Sequence, residues 1–251
     1  MTEDFSLLKK RFIELGRRSE QGYFTFTDFL GLAEQSCFNE IKGELKGISY
    51  TAFGGAEGAE RVMIRFGSPE ELGYEEDFPI VTLKIAPKSE KFADKLTHRD
   101  FLGALMSLGI EREVLGDIVI RDNVGYLFAK EDIAEYIKDS LTEIKHTAVR
   151  INTADSLPEG ELYRTEKRKI QLSSERLDAV LAKTFSLSRE DAQLLFAKGL
   201  VFVNGKQTES VSHTPKQGDK ITARGLGRLI YLGYESTSKK GKLNAVVELY
   251  V

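Results

Sequence analysis

The chain has 251 residues, 41% of them apolar and 30% charged, with a formal net charge of −3. That length admits one large domain or two to three small ones, and the apolar content is too high for a disordered chain. A single cysteine, Cys37, excludes an internal disulfide and a paired-thiol metal or redox site. No run approaches the ~18 apolar residues of a membrane span, and the acidic start Met1-Thr2-Glu3-Asp4 lacks a signal-peptide core, so a cytoplasmic protein without membrane insertion is expected.

Phe5, Leu8, Phe12 and Leu15 recur at helical spacing, and Gly16 is expected to end that helix. A second helix is expected from Thr27 as N-cap. Strands follow at 49–53 and 61–66, separated by the glycine-rich 54–58, and residues 1–77 read as a small α/β domain. From 78 to 154 the pattern is a strand at 80–86, a helix at 97–108 and strands at 117–121 and 125–130 joined by Asp122-Asn123. A helix at 132–144 and a strand at 147–153 complete the order βαββαβ, the ferredoxin-like unit shared by RNA-recognition motifs. Residues 155–166 are polar, contain Pro158 and Gly160, and read as a linker.

Residues 167–251 predict two short helices, the first capped by Ser173 or Ser174 and the second by Ser188. After Gly199 comes a strand ending in Asn204-Gly205, a strong hairpin signal, and then strands at 220–223, 229–233 and 243–250. The whole is an α+β protein.

Charge is unevenly spread. Residues 167–251 hold 15 Lys/Arg and 8 Asp/Glu, a balance of +7, which leaves −10 for residues 1–166. A basic segment on an acidic chain is the footprint of a nucleic-acid module attached to something else, and the acidic part is a candidate for protein contacts. Arg176 and Lys183, seven apart, share one side of the first helix. Arg189 opens the second helix, where free amides and the helix dipole favour a phosphate. Lys198, Lys206, Lys220, Arg224 and Arg228 add cations in the turns and strands around them. In the middle domain, alternating strands would put Lys84, Arg121 and Arg150 on one sheet face with Tyr126 and Phe128, a candidate second RNA site, although rings at i and i+2 more often belong to a core.

Several catalytic motifs fail on their mechanics. His98-Arg99-Asp100 copies a kinase triplet, yet Leu105 stands where the metal-binding Asn belongs, so Asp100 and Arg99 are expected in structural pairings at a helix start. Gly199 to Lys206 has the wrong spacing for a phosphate loop, and Gln207 replaces its Ser or Thr. His98, His146 and His213 are too scattered for a zinc site. Neither a cofactor nor a metal is expected.

Arg176-Leu177-Asp178, Leu187-Ser188-Arg189 with Ala192, Gly199-Leu200-Val201-Phe202-Val203-Asn204-Gly205-Lys206 and Gly218-Asp219 resemble, in order and spacing, the signature of the S4 RNA-binding domain. Thr27-Asp28-Phe29-Leu30, Phe53-Gly54-Gly55, Gly58-Ala59-Glu60-Arg61, the run from His98 to Met106, Gly109 to Glu113 and Gly116-Asp117-Ile118 extend the likeness to the YlmH family of bacterial S4 proteins. The resemblance implies a cytoplasmic, non-catalytic protein that binds structured RNA on the large ribosomal subunit. It also implies an association with cell-division gene clusters and a likeness to small S4 proteins that hold peptidyl-tRNA on stalled subunits. By that resemblance Arg176 and Arg189 are RNA contacts. The alternative class is an RNA-modifying enzyme, a pseudouridine synthase or rRNA methyltransferase, anchored by such a module.

Overall fold

Helix α1 (Ser6–Ser19) buries Phe12 and Leu15, as their spacing requires, but it runs through Gly16 instead of stopping there. Gly16 serves close packing: a Cβ at that position would lie 3.0 Å from Leu45 Cδ2 and 3.1 Å from Ile48 Cδ1. These features come from a computed structural model that describes residues 5–154, 157, 163, 165–238 and 241–250. The chain forms two units, one of Met1–Glu34 with Glu40–Leu162, the other of Gln35–Asn39 with Tyr163–Val251.

In the first unit, β1 (Thr25–Phe26), β2 (Tyr50–Phe53) and β3 (Met63–Phe66) make an antiparallel sheet in the order β1-β3-β2. Thr27 does not cap a helix. Its hydroxyl accepts from Ile64 N at 2.8 Å and donates to Asp28 O at 2.7 Å, which ties the segment to β3, and α2 (Leu32–Ile41) starts only after Gly31. A one-turn helix, α3 (Pro69–Leu72), follows Ser68, whose side chain accepts from Glu71 N.

Next come β4 (Ile80–Pro87), α4 (His98–Ser107), β5 (Leu115–Arg121), β6 (Val124–Lys130), α5 (Glu131–Ser140), β7 (Glu143–Ile144) and β8 (Thr147–Thr153). Their sheet is antiparallel throughout, in the order β5-β6-β4-β8-β7. Alternation turns Leu83, Ile85, Leu127 and Ala129 to one face, where Phe101 and Leu105 of α4 and Ala134 and Ile137 of α5 close a core. Each large side chain buried there contributes about 1.5–3 kcal/mol. The Asp122-Asn123 turn has both residues at positive φ, 49° and 63°, as a tight hairpin demands. Helix α5 ends at Ser140, short of the expected 144, because Glu143 and Ile144 pair with Ala148 and Thr147 around Lys145 at φ 54°.

The second unit holds β9 (Thr165–Leu172), α6 (Leu177–Thr184), α7 (Arg189–Ala197), β10 (Val201–Val203), β11 (Lys206–Gln207), β12 (Lys220–Ala223), β13 (Gly227–Thr237) and β14 (Leu243–Tyr250). The sheet order is β11-β10-β12-β13-β14-β9. Most of the expected linker 155–166 lies outside the described residues, but Thr165 and Glu166 belong to β9, which pairs with β14 along its whole length. Leu177, Val180 and Leu181 of α6 and Ala192 and Phe196 of α7 pack on Leu172, Val201, Tyr231 and Val247 of this sheet.

Candidate nucleic-acid interface

The start of α6 is built differently from the serine cap expected at Ser173 or Ser174. Arg176 occupies the N-cap position, and the first amides, Leu177 N and Asp178 N, donate to the backbone carbonyls of His213 at 2.8 Å and Val211 at 3.3 Å. Just ahead of it, the Tyr231 hydroxyl donates to Glu175 Oε1 at 2.7 Å, and burial together with that carboxylate raises its pKa. Helix α7 begins as its sequence dictates: Ser188 Oγ accepts from Asp191 N at 3.0 Å.

The two helix starts meet at Asp178, whose side chain is fully buried. Arg176 donates through Nε to Oδ1 at 3.2 Å and through Nη2 to Oδ2 at 3.3 Å. Arg189 Nε donates to Oδ2 at 3.2 Å, and Gln193 Nε2 donates to the same oxygen at 3.0 Å. Burial alone would raise the Asp178 pKa, but the bonds from Gln193, Arg176 and Arg189 outweigh it and hold the carboxylate below its ordinary range. The arginines remain 38% and 49% exposed. The result is a pair of guanidiniums fixed at one end by a shared anion, with solvent-facing nitrogens left for a second one.

Lys183 and Lys198 are exposed and make no ion pair among the described residues. Arg224 N donates to Leu200 O at 2.8 Å, which brings the β12–β13 turn to the end of α7, close to Lys198 in the chain. The Arg224 guanidinium lies 5.9 Å from the Phe202 ring centroid. Lys206 follows the Asn204-Gly205 turn onto edge strand β11. Arg228 does not belong to the helix-pair surface. Leu229 and Tyr231 enter the core beneath the helices, so alternation sends Arg228 to the opposite sheet face, where it stacks 3.8 Å from the Tyr250 centroid and 5.3 Å from that of Tyr163.

Sequence reasoning missed Asp178 and Gln193 as the organisers of the arginine pair. It also missed the Asn204–Asp219 clasp, in which Asn204 Nδ2 donates to Asp219 Oδ1 at 2.8 Å and Lys220 N to Asn204 Oδ1 at 2.9 Å. The Asp in Arg176-Leu177-Asp178, an acid amid apolar helix residues, was the available signal.

The register of the five-stranded sheet puts Lys84 opposite Tyr126, Arg150 opposite Ala86 and Arg121 opposite Val124, so Lys84, Arg121, Tyr126, Phe128 and Arg150 do share the face away from α4 and α5. Lys84 and Arg150 are exposed. The rings, however, cannot act as stacking platforms. Phe128 is completely buried and Tyr126 is 8% exposed. Gly55, at φ 94°, lies so close over Phe128 that an added Cβ would sit 2.2 Å from Cδ1 of its ring. The loop carrying Gly55 is anchored by Arg61, which donates to Leu115 O at 2.9 Å and to Phe29 O at 2.8 Å, and by Asp117, which accepts from Glu60 N at 2.7 Å and Arg61 N at 3.1 Å. Beside it, burial and then Arg61 lower the Arg112 pKa to about 10. Arg121 is half-buried, and its Nη2 has no hydrogen-bond partner among the described residues.

At α4, Asp100 has the structural pairing expected of it. It closes a capping box with Thr97 and bonds Lys145 Nζ at 2.8 Å, and Lys145 and then Thr97 draw its pKa down to about 2. Arg99 differs from expectation, with no ion pair among the described residues. Among the described residues no helix is long and apolar enough to cross a membrane, and no cluster of His, Cys, Asp or Glu has the makings of a metal site.

Together these features define a mixed α+β protein with several antiparallel sheets and exposed cations on each unit. Residues 73–157 match the family model described as "Putative RNA-binding domain in YlmH". The chain is 33% identical over 241 residues, 91% of this chain and 88% of the relative, to a Bacillus subtilis (strain 168) protein named "Ribosome-associated protein quality control protein P2". A solved structure, "Cell division protein ylmH from Streptococcus pneumoniae", is 16% identical with a TM-score of 0.46, covering 61% of this chain and 95% of that one. The chain belongs to the YlmH family.

Proposed function

We propose that this protein binds structured RNA in the cytoplasm without catalysing a reaction on it, and that residues 167–251 act as an S4-type module docking on rRNA or tRNA of the large ribosomal subunit. The observation that carries this reading is the convergence of Arg176 and Arg189 on buried Asp178. Arginines held in this way meet phosphate oxygens without first losing side-chain freedom. The name of the Bacillus subtilis relative and the description of the matched family model point the same way. Lys183, Lys198, Lys206 and Arg224 would add phosphate contacts that raise affinity without reading sequence. In residues 78–154 the connectivity βαββαβ reads as a ferredoxin-like, RRM-like domain, whose Lys84, Arg121 and Arg150 would supply a second cationic face. The acidic first part of the chain is then left for protein contacts.

Equilibrium binding of the full chain to rRNA fragments across a salt series tests this, alongside sedimentation with ribosomes. Arg176→Ala and Arg189→Ala are each expected to weaken binding by about 1–3 kcal/mol and to reduce the salt slope by about one. Salt-insensitive binding that survives the double substitution would overturn the reading. So would methyl transfer from S-adenosylmethionine, or new pseudouridine, in RNA incubated with the protein.

A further inference from the structure

The face of the five-stranded sheet away from α4 and α5 has cations but no free aromatic ring; an exposed one stands on the loop that follows β4 instead. Phe92 is 79% exposed. It lies in the loop between β4 and α4, with exposed Lys88, Lys91 and Lys95, and none of the three lysines makes an ion pair among the described residues. Lys91 Nζ is 5.5 Å from the Phe92 ring centroid. A lone exposed phenylalanine is commonplace, but this one sits among cations on a loop whose ends are tied down.

Lys88 N donates to Ala148 O at 2.8 Å, and Asp94 N to Thr147 Oγ1 at 2.8 Å. Asn123, in the β5–β6 turn, donates from Nδ2 to Asp94 O at 2.9 Å and accepts from Leu96 N at 2.8 Å. These bonds fix the loop at the end of the sheet where Arg121 precedes the Asn123 turn and Arg150 lies two residues beyond Ala148. The loop also carries two acids, Asp94 and the exposed Glu90; the Asp94 carboxylate is engaged, its Oδ2 accepting from His146 N at 3.3 Å and from Thr147 Oγ1 at 3.4 Å.

We infer that Phe92 is a stacking platform for an unpaired base of the bound RNA, with Lys88, Lys91 and Lys95 meeting the phosphates on either side. Base-on-ring stacking among cations is how single-stranded segments are held with little sequence preference. The inference rests on the RNA-binding reading above and adds the class of RNA feature it recognises: a loop, bulge or single-stranded end next to a helix.

The chain contains no tryptophan, so Phe92→Trp places a lone indole at the site. Its fluorescence in the full-length protein should be quenched by a short oligoadenylate and by a hairpin with unpaired loop bases, and left unchanged by a blunt duplex. Phe92→Ala should weaken oligoadenylate binding by about 5- to 150-fold, with Phe92→Trp restoring it and Phe92→Leu failing to do so. An unquenched indole in a protein that still binds RNA overturns this inference and leaves the Arg176–Arg189 reading intact. Full binding by Phe92→Leu also overturns it, since an apolar contact with a protein or lipid partner needs no ring. Absence of RNA binding by the wild-type chain sinks both.

Discussion

Asp178→Asn separates a fixed pair of arginines from a mere patch of positive charge. The amide has the size of the carboxylate, so the buried site stays filled, but three guanidinium bonds of 3.2–3.3 Å lose their anionic acceptor. A charge-assisted bond exceeds a neutral one by about 1 kcal/mol, which sets an upper limit of about 3 kcal/mol. Arg176 and Arg189 are 38% and 49% exposed, so their released charge is largely hydrated and the expected loss settles near 2 kcal/mol. Urea unfolding measures that directly. In binding, the cluster goes from two cations and one anion to two cations alone. If charge alone mattered, every polyanion would bind more tightly, with a salt slope steeper by about one. If orientation matters, heparin binding strengthens while binding to folded rRNA fragments weakens. Tighter binding to both, with unchanged stability, would refute the claim that Asp178 positions the pair.

The pH dependence has a definite sign. Asp100 is drawn from 3.8 to about 2 in the folded chain, so its contribution is complete above 3.8 and is lost as pH falls through about 2; Asp100→Asn should flatten that part of an acid-unfolding curve followed by circular dichroism. The lowered Asp178 carboxylate works in the same direction, with stability present above its ordinary range and lost on acidification. Thr97→Ala, removing the other half of the capping box, is expected to cost about 1 kcal/mol in urea. Gly55→Ala should cost about 2–4 kcal/mol, since it adds a Cβ against the Phe128 ring at φ 94°, whereas Gly103→Ala, with nothing within 4 Å, should gain about 0.5–1 kcal/mol in the same assay.

What sequence reasoning reads well is set locally. Asp122-Asn123 and Asn204-Gly205 announce their turns because few residues accept positive φ, and Leu83, Ile85, Leu127 and Ala129 alternate because one sheet face must be dry. What it misreads depends on distant partners. Gly16 looks like a helix stop but answers to Leu45 and Ile48, and Thr27 looks like a cap but is claimed by Ile64. Strand β9 was hidden because Lys167, Arg168 and Lys169 obscure the alternation that Ile170 and Leu172 alone report. The arginines of the candidate site were legible as basic residues at helix starts. Their common anchor was not, because nothing local tells a buried Asp178 from a solvated one.

The charge count shows the same limit at larger scale. A formal charge of −3 is a property of the composition, but a phosphate responds to groups within about one Debye length, roughly 8 Å at physiological salt. On the helix pair the nearest acid, Asp178, lies buried between two guanidiniums, so they screen it from an incoming anion while it holds them in place. On the loop around Phe92, Lys88, Lys91 and Lys95 have no ion pair among the described residues and outnumber its two acids, Glu90 and Asp94, the second of which accepts from His146 N and Thr147 Oγ1. Acids can therefore outnumber bases in residues 1–166 without weakening either cationic surface, provided they lie beyond screening distance. Adding or removing surface acids far from these two places should accordingly leave RNA affinity nearly unchanged at physiological salt, while a single acid introduced at Lys91 should not.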